Sequence, residues 1–244
     1  PHFHLIHWSV HYNNEIKEGY YDKILTNGLD QNKGIQANWH NITFEKVKNY
    51  LKEGTKHLDY ACGSGSLIGI YSEASSVGYD ISKKQITYAQ EKYGNKGNFH
   101  TIDELNYENY IDNYDVVTLL GLLEFLDFDE NLEVINSLYE IIKPNGILIV
   151  TTPNFTSTMF LLDKIINLFG GVSYKNQHKS KFNKKTLETL LKESRFSEYS
   201  INKFINFPVF LSFININFAL KCNNFIETII GKKMGYLFFI TLRK

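Results

Sequence analysis

Two acids and a pair of glycines stand at spacings that can do chemistry. Asp59 lies in the short strand candidate His57 to Ala61, and Cys62-Gly63-Ser64-Gly65 follows at once. Glycines just after a strand let the backbone turn sharply and let a ligand approach closely. Asp80 lies 15 residues after Gly65, at the end of the next apolar run, SVGYD. A carboxylate at that place and distance can accept both hydroxyls of a ribose. Strand, glycine turn, helix and acid together point to an adenosine-type ligand.

The details discriminate between ligands. A dinucleotide fingerprint needs a third glycine at the position held here by Ile68, and Gly69 comes one residue late. Asp59 precedes the glycines; an anion there is awkward for a pyrophosphate but suits an amino group or a sulfonium. This favours S-adenosylmethionine (SAM) over a nicotinamide dinucleotide, which stays as the alternative for an oxidoreductase.

These residues need elements to hold them. The first part, 1–54, reads as mostly helix, with candidates over Glu15 to Leu25 and Thr43 to Leu51. Strands are then expected at 57–61, 76–80, 98–102, 115–121 and 146–152. Helices are expected at Leu67 to Glu73, from Ser82 to Tyr93 with a Ser82/Gln85 capping box, and from a cap at Asp129. Asn183 can cap a helix to Lys192, followed by strands at 197–202 and 235–242. Strands alternating with helices imply right-handed βαβ units and a mainly parallel sheet covered on both faces.

Several segments resemble the class I SAM-dependent methyltransferase family. LDYACGSGS resembles its motif I, usually LDxGCGxG, and GYDIS places Asp80 as the ribose acid. FHTIDEL is similar to the adenine-binding segment, YDVVTLLGLLEFL to motif IV, and IIKPNGILIVTTPN to the segment LKPGGxLxxxTPN. The closest flavour is the small-molecule group that includes ubiquinone-pathway O-methyltransferases and enzymes of polysaccharide and secondary metabolism. The resemblance implies a Rossmann-like α/β fold: a seven-stranded, mainly parallel sheet with its last strand antiparallel and helices on both faces. It implies cofactor contacts from Asp59, Ala61, Gly63, Gly65, Asp80, Ile81, Ile102 and Asp103, with the backbone around Thr118 and Leu119 facing the methionine end. It divides the chain into a helical cap (1–54), a SAM-binding core (55–155) and a remainder (156–244) with a substrate-covering insertion at about 203–232. Three departures stand out: Ala61 replaces a motif glycine, a change small enough for binding to survive; Asn145 replaces a turn glycine and can still adopt the left-handed region; and Phe125 stands where related sequences often carry His after Glu.

Transfer of a methyl group to a hydroxyl needs a proton acceptor, for which histidine is suited. In relatives the segment before the core folds over the cofactor, and a loop after the fifth strand reaches the substrate. The first candidate is therefore His178 and the second His40. No metal is required. His2, His4, His7 and His11 are irregularly spaced without accompanying Cys or carboxylate clusters, so they are not read as ligands. Tyr12, Tyr20 and Tyr21 could cap the cofactor, but packing is the preferred reading.

Composition sets the outer limits. Lys and Arg number 26, as do Asp and Glu, so no basic excess suggests a nucleic-acid partner. Two cysteines, Cys62 and Cys222, make no disulfide framework and suit a reducing, cytoplasmic setting; no signal-peptide or membrane-spanning pattern is present. The aromatic share is high, 15%, and much of it falls outside the core, which hints at an apolar or lipid-linked small-molecule acceptor. Lysines around His178 (Lys175, Lys179, Lys181, Lys184 and Lys185) lie between the apolar segments 158–169 and 204–218. That pattern suits an anionic membrane surface, but lid packing explains it equally and is preferred. A SAM-binding partner subunit without activity is the remaining alternative.

Overall fold

In the computed structural model, residues 17–156, 178–230 and 233–244 are described. The N-terminal histidines, Tyr12, the start of the first expected helix, Lys175 and the 158–169 segment lie outside them.

The apolar runs form one seven-stranded sheet. Its strands are β1 (Lys56–Tyr60), β2 (Ser75–Asp80), β3 (Gly97–Thr101), β4 (Tyr114–Leu120), β5 (Ile142–Pro153), β6 (Glu198–Phe204) and β7 (Leu237–Arg243), in the order β3-β2-β1-β4-β5-β7-β6. β7 runs antiparallel to both β5 and β6; the other pairs are parallel. Strand order reverses between β1 and β4, so a ligand crevice opens at their carboxyl ends.

Helices cover both faces. One face packs α1 (Tyr20–Asp30) and α2 (Ile35–Lys48) over Val116, Ile149 and Phe239, and α3 (Lys83–Tyr93) sits over Phe99. The other packs α4 (Phe128–Ile141) and α5 (Lys184–Glu193) through Ile135, Leu138, Leu187 and Leu190 over Leu58, Val117 and Leu148. A last helix, α6 (Ile216–Ile230), belongs to the insertion between β6 and β7.

Local chemistry moved several boundaries. Asp127, not Asp129, caps α4: its carboxylate accepts the Glu130 N–H (2.9 Å), and Glu130 reaches back to the Asp127 N–H (2.8 Å). Ser82 caps α3 as expected, but only half of the capping box forms, because the Gln85 amide is committed to Ser64 and Gly19. The expected Leu67–Glu73 helix is a single π turn, Leu67–Tyr71. The second N-terminal helix starts at Ile35, earlier than expected, so His40 lies within a helix rather than before one. Asn145 takes the left-handed conformation (φ 67°) at its turn, which asparagine tolerates.

Candidate functional site: a carboxylate-lined glycine turn

The glycine turn connects β1 to the π turn at the reversal point of the sheet. Asp80, at the end of β2, accepts hydrogen bonds from the N–H of Gly63 (2.9 Å) and the N–H of Ser82 (2.8 Å). One carboxylate thus fixes the turn and the start of α3 together. Asp59 stands directly opposite Thr118 in the β1–β4 ladder and accepts that hydroxyl at 2.6 Å. Both acids are only 3% exposed. Burial pushes the Asp59 carboxyl up to about 7, with Thr118 opposing and the Asp80 charge reinforcing the shift. Burial likewise raises Asp80 to about 6, against its backbone hydrogen bonds. Two buried carboxylates side by side favour a ligand that brings positive charge and hydroxyl donors.

The other expected contacts fall around this pair. Ala61 sits in the turn at φ 62°, a conformation that glycine adopts without strain. Gly63 (φ 53°) faces open space where a side chain would stand. Ile81 follows Asp80, and Ile102 and the exposed Asp103 lie on a short turn just after β3, whose Thr101 pairs with Asp80. Thr118 and Leu119 pair with the last two residues of β1. The Thr118 side chain, however, is used inward, to hold Asp59.

Sequence reasoning overlooked what holds these residues. His57, two positions before Asp59 and on the same strand face, is fully buried. Its Nε2 lies 2.9 Å from the Thr118 hydroxyl and its Nδ1 3.0 Å from Ser76. With Thr118 donating to Asp59, its oxygen is placed to accept from His57 Nε2–H, while Nδ1 faces the Ser76 hydroxyl, which also reaches the Ala74 C=O (3.2 Å). Burial holds this imidazole neutral, with its pKa pushed down to about 3. Period-two alternation along HLD could have flagged it. Asp22 on α1 was also missed. Fully buried, it accepts from Ser66 in the turn (2.7 Å) and from Tyr88 (2.8 Å), Tyr93 (2.7 Å) and Lys92 (2.5 Å) of α3. No short-range pattern announces such a hub.

A second group lies past β4, along the same edge. Glu124 is buried beside the end of β5, where the Thr152 hydroxyl donates to it at 3.1 Å. Burial raises its carboxyl to about 7, against hydrogen bonds from its own N–H and Thr152. The backbone after His178 is tied here through Ser180 N–H to Glu124 C=O (3.1 Å). The His178 ring stands 5.4 Å, centroid to centroid, from both Phe125 and Phe155. It therefore sits against the position where related sequences often carry a histidine in their own chain. His40 is placed differently, against Tyr21 and Phe44, and burial lowers its pKa to about 4. Its neighbour Trp39 stacks on Tyr236, next to the end of β5.

The strand order, the glycine turn and the two acids define the class I SAM-dependent methyltransferase architecture. The comparisons agree: residues 51–203 match the family model described as a methyltransferase domain, and the chain belongs to that family. Among solved structures, a SAM-dependent methyltransferase from Archaeoglobus fulgidus aligns with a TM-score of 0.57 and 19% identity, over 84% of this chain and 94% of that one. Magnesium protoporphyrin IX methyltransferase from Synechocystis PCC 6803, with bound S-adenosylhomocysteine (SAH), aligns with a TM-score of 0.56 and 21% identity, over 86% and 85%. No curated protein matches the sequence. The protein is an enzyme that uses SAM. Its residues fit that cofactor: two desolvated acids flank a turn whose central glycine leaves room for close approach.

Proposed function

We propose that this enzyme methylates an oxygen or nitrogen of a small, apolar acceptor, and that the acceptor binds between Glu124 and His178. The observation that carries this reading is the buried Glu124 carboxyl, raised to about 7, followed in the chain by Phe125, whose ring packs with Phe155 around His178. A hydroxyl or ammonium acceptor must lose a proton, and a buried carboxyl raised to about 7 or an imidazole can take it.

When bound, SAM supplies an activated methyl group on a good leaving group. Asp59, Ala61, Gly63, Gly65, Asp80, Ile81, Ile102, Asp103, Thr118 and Leu119 are the residues assigned to hold it. The acids orient the ligand, and the turn brings backbone N–H groups close. A dry, aligned site supplies much of the acceleration. His178 is the first proton acceptor and Glu124 its partner. His40, held near 4, is too weak a base to compete and serves in the wall of the site.

The test uses methyl-labelled SAM and a panel of hydroxylated and aminated apolar compounds. Label should enter an O- or N-methyl product. His178→Ala and Glu124→Gln should each lower kcat by roughly 100-fold or more while SAH still raises the melting temperature. Unchanged turnover in both variants would remove these residues as proton acceptors. SAH binding with no transfer to any acceptor would favour an inactive partner subunit. Stabilisation by a nicotinamide dinucleotide instead of SAH would overturn the cofactor assignment.

A further inference from the structure

The insertion between β6 and β7 turns four of its five phenylalanines outward. Phe207, Phe213, Ile214, Phe218, Phe225 and Ile229 are each more than half exposed. Outside this insertion, among the described residues, only Tyr50, Ile70 and Ile111 leave a large apolar side chain exposed. α6 carries apolar side chains on both sides: Leu220 packs against the core with its buried stripe, yet both of its phenylalanines face out. Its buried stripe is Ile216, Ala219 and Asn223, and Asn223 accepts the Asn206 N–H (2.9 Å). The exposed stripe runs Phe218, Lys221, Phe225, Ile229, spaced three to four residues apart on the opposite side. A helix serving only as a lid would turn its phenylalanines inward.

Charge sorts in the same way. Between Ile205 and Tyr236 the sequence carries Lys221, Lys232 and Lys233 against a single acid, Glu227. Glu227 accepts from the buried Asn223 (3.2 Å), so it belongs to the inward side, while Lys221 stands within the exposed aromatic stripe. A lysine there can lay its stem along apolar surface and keep its ammonium at a headgroup. No described helix is long and apolar enough to cross a membrane. Such a face is suited instead to lying in the plane of an anionic interface.

Its position gives the face a purpose. Phe204, which ends β6, pairs with Leu237, and Leu237 pairs with Pro153. The Asn154 side chain donates to Gly235 C=O (2.9 Å). The insertion therefore leaves the sheet at the edge where β5 ends beside Glu124.

We propose that the 205–236 insertion docks this enzyme on the surface of an anionic lipid membrane, with its acceptor site opening beside that surface. The docking stands on the exposed stripe and its charge; delivery of the acceptor from the lipid rests additionally on the acceptor reading above.

Vesicle co-sedimentation of the full chain tests it, without any need for an acceptor. The chain should sediment with phosphatidylcholine vesicles containing about one third phosphatidylglycerol and much less with phosphatidylcholine alone, and added salt should weaken the binding. Phe218→Ser with Phe225→Ser should reduce binding to the anionic vesicles roughly tenfold or more. Lys221→Glu, which leaves the apolar stripe in place, should weaken anionic binding and leave neutral binding unchanged. SAH thermal stabilisation, retained in each variant, confirms the folded state and reports separately on the cofactor site. Three results would overturn the proposal: no preference for anionic vesicles, binding indifferent to these substitutions, or a stable dimer in solution that the Phe218/Phe225 pair dissolves.

Discussion

Ala61 shows how one methyl group can matter at a turn. Its φ of 62° places it in the left-handed region, where a side chain costs roughly 1–2 kcal/mol. Glycine there would lose about 0.5–1 kcal/mol through the greater freedom of the unfolded chain. Ala61→Gly is therefore expected to stabilise the protein by about 0.5–1 kcal/mol, measured by urea denaturation. Destabilisation would mean that the Ala61 methyl makes packing contacts worth more than the strain. The residue's identity was legible in the sequence, but its strain was not, because nothing in LDYACGSGS states which of its positions takes the positive φ. Asp80 makes the opposite case. Its spacing from the glycines marked it as a ligand acid, and the structure adds its grip on the Gly63 N–H. Asp80→Ala should both loosen the turn and abolish SAH stabilisation in a thermal-shift comparison, with the sheet still formed by circular dichroism.

The strands were the most legible elements because each buries a short apolar run whose ends meet glycine or a cap. The N-terminal helices were less so. α2 buries Asn38 and Asn41 beside Ala37 and Val47, which blurs its apolar face, and the earlier start at Ile35 stayed hidden. How α1 attaches was not legible at all, since its anchor is one acid meeting groups far along the chain. Asp22 ties α1 to the glycine turn through Ser66 and to α3 through Tyr88, Lys92 and Tyr93. Burial pushes its pKa up, but the bonds from Lys92, Tyr93, Ser66 and Tyr88 together win, and the pKa is lowered from 3.8. A lowered carboxyl contributes stability that is present above its unfolded value and lost as pH falls through the folded one. Asp22→Ala should cost roughly 3 kcal/mol, because it strands several donors in the interior. It should also weaken SAH binding by loosening Ser66. Calorimetric titration beside denaturant unfolding separates the effects; a stable variant with wild-type SAH affinity would show that α1 is held by apolar packing alone.

At the scale of the molecule, the sheet concentrates buried carboxyl groups along one edge. Asp59 near 7, Asp80 near 6 and Glu124 near 7 all have carboxyls raised above the values they hold in the unfolded chain. A raised carboxyl contributes stability below its unfolded pKa, and that contribution is lost as pH rises through the folded pKa. The ligand-free enzyme should therefore lose stability between about pH 4 and pH 7 from these three groups. A ligand carrying positive charge reverses the balance at Asp59 and Asp80, since it favours their ionised forms and releases their protons on binding. The rise in melting temperature caused by saturating SAH, whose ammonium survives at these pH values, should thus be larger at pH 8 than at pH 6. Calorimetric titrations at pH 6.5 in buffers of different ionisation enthalpy should register that proton release. An equal thermal shift at both pH values, with no proton released, would mean that the two acids are already ionised without the ligand. The edge would then be arranged by its hydrogen bonds alone, and the His57–Thr118 chain beneath Asp59 would be holding a permanent anion.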